Sequence, residues 1–312
     1  MSRHGRRTTD HENRPAGHTR GGFMTGMNRR SILLSSLGAM LAVAPARSVL
    51  ARPHDDVLKA GRIVIFVYAD NPPWSFERDG EVVGIDVDIA RGIAKGLGVE
   101  LELLVRQADE NVDDDLRVNV WKGDIVGRKA ADIMLHVPYD RELEIRSESL
   151  AILFNPYFGE EHAVVFDTAR IPEVTTFGRF VTNPIGVELD SASDFFLSNA
   201  FRGQLHQSIR RGRTLDDAFV TFLSGEVPAY MGSLAQCEYL AHLADGNIKT
   251  AIAQPPMPGI VRAKWPVGMA VKHDSRDLGY AVGDIIMALQ QDGRMEEICR
   301  RYGVTYKPPE LE

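Results

Sequence analysis

The chain has 312 residues, 44% of them hydrophobic and 25% charged, which suits a globular protein large enough for two cores and excludes a mainly disordered one. The formal net charge is −7, with 36 basic and 43 acidic side chains, and such a field argues against nucleic acid as a partner. The two cysteines, Cys237 and Cys299, lie far apart in apolar patterns; an oxidising compartment would permit a disulfide, but the spacing implies none, and two buried free thiols are expected.

Residues up to about Thr25 are rich in Arg, Gly, His and Thr and are expected to be unstructured, with Met24 or Met27 as alternative starts. Then come Arg29-Arg30, an apolar run from Ile32 to Val43, and small residues ending at Val49-Leu50-Ala51, the three parts of a secretory signal. The run is too short to span a bilayer comfortably. Asn28-Arg29-Arg30-Ser31-Ile32-Leu33 resembles a twin-arginine signal, which would export a folded chain to the periplasm; the general secretory route and an uncleaved anchor are the alternatives. Cleavage after Ala51 would leave 28 basic and 41 acidic residues, a net charge of −13.

Beyond the signal, Ile63 to Tyr68 is a continuous apolar run, expected as a strand covered on both faces. Ile85, Ile89, Ile93 and Leu97 recur four apart, with Asp86 and Asp88 in the first turn and Gly98 at the end, so a helix is expected there. Leu101 to Val105 reads as a strand, Asp113-Asp114-Asp115 leads into a helix, and Ala131 to Val137 gives a third strand, completing a βαβαβ half. A second α/β set follows: strands at Ala163 to Phe166, Ile185 to Val187 and Pro228 to Met231, with capped helices opening at Ser191, Thr214 and Ser233. After Gln254-Pro255-Pro256-Met257-Pro258 come a strand, Val267 to Val271, and a long helix with Leu278, Val282, Ile285, Ile286 and Leu289. The expected architecture is α/β with two lobes joined by a two-segment hinge. Residues 52–160 and 262–312 form the first lobe, 161–261 the second, and 1–51 the N-terminus and signal. No internal repeat is present.

Five segments carry a family resemblance: Asn71-Pro72-Pro73-Trp74-Ser75-Phe76; Gly84-Ile85-Asp86-Val87-Asp88-Ile89-Ala90; Asn155-Pro156-Tyr157-Phe158; Trp265-Pro266-Val267-Gly268-Met269-Ala270-Val271-Lys272; and Asp292-Gly293 followed by Arg301-Tyr302-Gly303. In this order they resemble the bacterial extracellular solute-binding proteins that serve polar amino acid ABC transporters, over about Arg62 to Gly303. The resemblance implies a type II periplasmic binding fold, a monomer that closes on a small polar solute, an ABC permease as partner, and no catalytic residue, cofactor or metal.

Ligands of open α/β sheets bind beyond the carboxyl ends of strands, which names the candidate residues. After the first strand stand Asp70, Asn71, Trp74 and Phe76; Trp74 is either a flat wall of the cleft or core, and Asp70 a partner for cations or hydroxyls. After the third stand His136, Tyr139 and Arg141. Arg141 matches the family arginine that forks onto a substrate carboxylate, although Val137-Pro138-Tyr139 replaces the family's small hydroxylated residues and the stretch to Pro156 is longer. His136 reads as a structural hydrogen-bonding residue or a ligand group. In the second lobe Asp190, Ser191 and Ser193 open a helix whose N–H groups could hold an anion, unless they only cap it. Gly232 and Ser233 end a strand where amino-acid binders carry an Asp that holds the ligand's ammonium group. With Gly232 there, that ion pair cannot form.

Ala131-Asp132-Ile133-Met134-Leu135-His136-Val137-Pro138 is similar to a segment of superfamily members encoded with quinoprotein (PQQ) alcohol dehydrogenases. That likeness implies an alternative: an accessory protein that docks on the dehydrogenase or binds a cofactor-related molecule. An enzyme resembling the cyclohexadienyl dehydratases is the third class, although the chain has no G-x-S-x-G elbow, no H-E-x-x-H and no metal-spaced His/Cys cluster.

Overall fold

The protein is seen in a computed structural model that describes residues 51–260 and 262–310. The Arg-rich leader and the expected secretory signal, apart from Ala51, lie outside the described residues. No helix among the described residues is long and apolar enough to cross a membrane.

Helix α1 (His54–Ala60) leads into β1 (Arg62–Tyr68), whose five central residues are fully buried, as a strand covered on both faces requires. A short hairpin, β2 (Phe76–Arg78) and β3 (Glu81–Val83), precedes α2 (Ile85–Leu97), which stops at Gly98 in the left-handed conformation. β4 (Glu100–Arg106) and β5 (Ile133–Pro138) flank β1 in parallel, with α3 (Val112–Leu116) and a π-helical turn between them. Helix α4 (Arg141–Ser147) then turns the chain into β6 (Ala151–Asp167). The second α/β set comprises β7 (Ile185–Glu188), α5 (Ala192–Asn199), β8 (Ile209–Gly212), α6 (Leu215–Leu223), β9 (Ala229–Ser233), α7 (Leu234–Leu243) and β10 (Thr250–Ala253). The chain returns through β11 (Lys264–Lys272) to α8 (Arg276–Gln291) and α9 (Arg294–Arg300).

The strands lie in the order β4-β1-β5-β11-β6-β9-β7-β8, with β10 also on β6. β6 pairs with β11 from Ala151 to Glu161, then with β9 and β10 from His162 onward. Two α/β lobes therefore share a crossing pair of strands, which is the type II binding-protein architecture. α8 packs on α2, where a Cβ at Gly96 would fall 2.7 Å from Ile285. The largest apolar cluster runs from Ile63 and Ile89 to Phe219 and Leu240; separate clusters around Phe66 and around Phe180 cover the other faces.

One expectation changes. The strand expected to begin at Ala163 is the far end of a continuous 17-residue strand that passes through Pro156. Proline offers no N–H to a ladder, so β11 shifts register between Val267 and Met269. Gly268 lies at the shift, where a Cβ would stand 3.1 Å from the Phe154 carbonyl and 3.2 Å from Pro156 Cα. Asn155 takes φ +40° and its Nδ2 donates to the Gly283 carbonyl at 3.2 Å. A bulge pinned by a side chain thus carries the chain across without a break.

The caps at Ser191, Thr214 and Ser233 form as the pattern requires, and Ser233 with Gln236 makes a full capping box. At Ser191 only half of the box forms, because the Asp194 carboxylate is taken by the Asp190 N–H and Arg211. Gly84 has φ +140°, and a Cβ there would lie 2.1 Å from the Trp74 carbonyl oxygen. That close approach lets the Ile85 and Asp86 N–H groups donate to the Pro73 and Trp74 carbonyls, joining the turn after β1 to the start of α2. Gly84→Ala is expected to cost about 3 kcal/mol, from strain and the displaced loop, as measured by urea unfolding.

Candidate functional site

β7 and β9 run parallel and end at Glu188 and Ser233, so their carboxyl ends open on one edge, where β6 and β11 cross. A cavity of about 150 Å³ lies there, walled by Glu188, Ser191 and Ser193 after β7, by Tyr230, Gly232, Ser233 and Gln236 around the end of β9, and by His162 and Trp265 of the crossing strands. A slightly larger hollow of about 170 Å³ lies beside α4, between Arg141, Glu148 and Arg276. Chemistry favours the first, because buried polar atoms without partners adjoin it and none adjoin the second.

Glu160 is 3% exposed: its Oε1 accepts from Ser233 Oγ at 2.9 Å, while Oε2 has no partner among the described residues. Burial pushes its carboxyl up to about 7, opposed by Ser233 and His136. The His162 ring packs on Trp265 at 4.9 Å, its Nδ1 is unpartnered, and burial lowers its pKa, so it is a neutral donor or acceptor at pH 7. Desolvation also raises Glu188. Among the described residues, no lysine or arginine lines this cavity.

Gly232 is fixed by its neighbours. A Cβ at this position would fall 2.4 Å from Gln236 Oε1 and 2.6 Å from the Tyr230 hydroxyl. Tyr230 donates to Gln236 Oε1 at 3.2 Å, and the Ser233 N–H donates to the same oxygen at 2.9 Å. The volume that an ammonium-binding Asp would need is therefore filled by a hydrogen-bonded Tyr-Gln pair.

A second buried polar group lies in the first lobe. Asp86 Oδ1 accepts from the Tyr157 hydroxyl at 2.6 Å, and Oδ2 stands 3.1 Å from His136 Nδ1. The His136 N–H donates to the Tyr157 oxygen at 3.1 Å, with its backbone at φ +60°. Trp74, 1% exposed, is covered by the His136 ring at 4.7 Å and the Phe158 ring at 4.8 Å. Phe76 is also buried, against Tyr239 and Tyr302.

Of the residues named from sequence, Ser191, Ser193, Gly232 and Ser233 line one cavity, and Asp190 precedes them at φ +60°. His136 and Trp74 meet in the neighbouring polar group. Asn71 sits in the turn after β1, bridged to Ser75, while Asp70 is exposed and accepts from Gln107 Nε2. Tyr139 is half-buried and its N–H donates to the Pro266 carbonyl. Arg141 is not brought to this cavity: it lies on α4 with a side chain 78% exposed, paired to Glu144. Glu160, His162, Glu188, Tyr230, Gln236 and Trp265 escaped the sequence reading as site residues. The one available signal was Glu160-Glu161-His162, three polar residues set against the apolar run that follows.

The model of bacterial extracellular solute-binding proteins, family 3, matches residues 63–305. The chain belongs to this family. Solved structures similar to this solute-binding protein include an ancestral cationic amino acid solute-binding protein, at 19% identity and TM-score 0.63, with 80% of this chain and 98% of that chain covered. An amino acid ABC transporter substrate-binding protein from Streptococcus pneumoniae bound to L-arginine aligns at 20% identity and TM-score 0.59, with 82% and 100% covered. The solute receptor for L-cysteine of Neisseria gonorrhoeae aligns at 20% and 0.55, with 80% and 93% covered. At these identities the likeness establishes the shared fold. The search of curated proteins found no match.

Because Glu160 is protonated more readily when folded, its contribution to stability is full below the ordinary carboxyl value of 4.5 and is lost as pH rises through about 7. Glu160→Gln should remove about 3 kcal/mol of that pH dependence, seen as a flatter profile of unfolding free energy between pH 4.5 and 8 in the solute-binding protein without solute.

Proposed function

We propose that this solute-binding protein works in the periplasm, capturing a small polar solute between its lobes and delivering it to an ABC permease, without catalysing a reaction. The lobes are residues 52–160 with 262–312, and 161–261, the first fifty-one residues being removed on export. The observation that carries this reading is the cavity at the ends of β7 and β9, against the crossing strands, with the unpartnered polar atoms of Glu160 and His162 beside it. Unpartnered buried polar atoms cost about 1–3 kcal/mol each, and a ligand that supplies hydrogen bonds removes that cost.

The binding set is Ser191, Ser193, Ser233, Glu188 and Gln236, with Glu160 and His162 behind them and Trp265 as an apolar wall. Asp70, Asn71 and Tyr139, on loops of the first lobe, are the further candidates for contact with solute. A cavity lined by the Glu188 carboxyl, hydroxyls and an amide, with no lysine or arginine among the described residues, favours a neutral or cationic solute rich in donors over an anion. Known relatives with this fold include binders of arginine and cysteine. The filled space at Gly232 argues against an α-amino acid held by its ammonium group at that point.

Small-angle scattering with and without solute tests the reading, after a thermal-shift screen of polyols, amines and amino acids. The expected outcome is a solute that raises the melting temperature and reduces the radius of gyration, with both effects weakened at least tenfold in apparent affinity by Ser233→Ala, about 1.4 kcal/mol. Absence of any stabilising solute, with recovery of a quinoprotein dehydrogenase from periplasmic extract, would favour the accessory role, which the loss of the ammonium site also fits.

A further inference from the structure

Arg52 stands directly after the small-residue end of the secretory signal, and its main-chain N–H donates to Asp132 Oδ1 at 3.0 Å. The same residue's Nε reaches Oδ1 at 3.0 Å and its Nη2 reaches Oδ2 at 2.6 Å. The Val64 N–H gives Oδ2 a fourth donor at 2.8 Å. Asp132 is 0% exposed, at the entry to β5, and its own N–H donates to the Val64 carbonyl at 2.8 Å. One buried aspartate therefore brackets Val64 from both sides and holds β1, β5 and the residue after the signal together.

Hydrolysis of the Ala51–Arg52 bond adds water across it: the carboxylate leaves with Ala51, and the nitrogen on Arg52 becomes an amine that takes up a proton at neutral pH. That nitrogen is the one already within hydrogen-bond distance of a buried carboxylate. We propose that the bond between Ala51 and Arg52 is the processing site, and that the α-ammonium released there is held by Asp132 as a buried ion pair that fastens the new N-terminus to the sheet.

The surroundings accommodate a second positive charge beside the Arg52 guanidinium. Asp56 and Glu102 are close enough to act on that guanidinium, and Glu102 is shared with Arg62 and Lys129 at the outer edge. Ala51 is buried and departs with the signal, leaving its place to water around the two ammonium protons that Asp132 does not take. A charged donor in place of a neutral one shortens and strengthens the contact. This site is separate from the solute cleft, so it shares with the proposed function only the point of cleavage, and it can fail while solute capture stands.

The test compares protein purified from the periplasm with a form that retains Ala51 as its first residue. Intact mass should show the exported chain beginning at Arg52. At pH 8 its α-amine should acylate about fivefold more slowly than in the same protein unfolded in urea, the effect of a rise of one pKa unit on the free-amine fraction at that pH. The Ala51-initiated form should melt about 2–4 °C lower. Asp132→Asn should abolish the protection; if that variant does not fold, the urea reference and the Ala51-initiated form still decide. A chain that begins elsewhere, an α-amine that reacts at the unfolded rate, or an Ala51-initiated form that melts no lower would overturn the proposal.

Discussion

The antiparallel pairing of β6 with β11 is the constraint on which the rest of the molecule depends. β6 gives its first eleven residues to β11 and its last ones to β9 and β10, so a single extended segment belongs to both lobes. A crossing strand of this kind cannot slip by one residue without turning each of its side chains to the opposite face. The bulge at Pro156 and Gly268, secured by the Asn155 side chain donating to the Gly283 carbonyl of α8, fixes the register. Tyr157, Glu160 and His162 lie within seven residues of Asn155, so the polar groups of both lobes are placed by the same lock.

What that lock positions is energetically unfavourable taken alone. Asp86 and Glu160 are buried carboxylates whose desolvation is only partly offset, by Tyr157 and His136 in one case and by Ser233 in the other. A fold that needed only stability would fill these positions with apolar side chains. Glu160, on the strand common to both lobes and hydrogen-bonded to Ser233 of the cavity wall, stands where a hydrogen-bonding solute would meet it, which is the physical argument for a receptor cleft. Asp132 is the contrasting case: four donors surround it, and it acts as a structural fastener.

The elements of the first half were legible because their signals are local. The four-residue recurrence of Ile85, Ile89 and Ile93, closed by Gly98, needs no knowledge of the rest of the chain, and the same holds for the caps at Thr214 and Ser233. The strand through Pro156 was not legible, because the penalty of a proline in a ladder is relieved only by Gly268, more than a hundred residues away. The lining of the cavity divided in the same manner. Ser191, Ser193, Gly232 and Ser233 could be named since strand ends announce themselves by capping residues. Glu160, His162 and Trp265 could not, because they sit inside strands, where sequence gives the alternation but not which side faces a cleft shared with another lobe. Arg141 was misplaced because the register after β5 depends on α4, a helix of seven residues whose polar pattern reads equally well as loop.

The Tyr230–Gln236 contact over Gly232 bears on how such receptors diverge. To install a carboxylate at residue 232, both neighbours must be cut back: trimming Gln236 removes the acceptor of the Ser233 N–H, and trimming Tyr230 removes a donor to Gln236. A carboxylate at that position therefore calls for coordinated change at three residues, 230, 232 and 236.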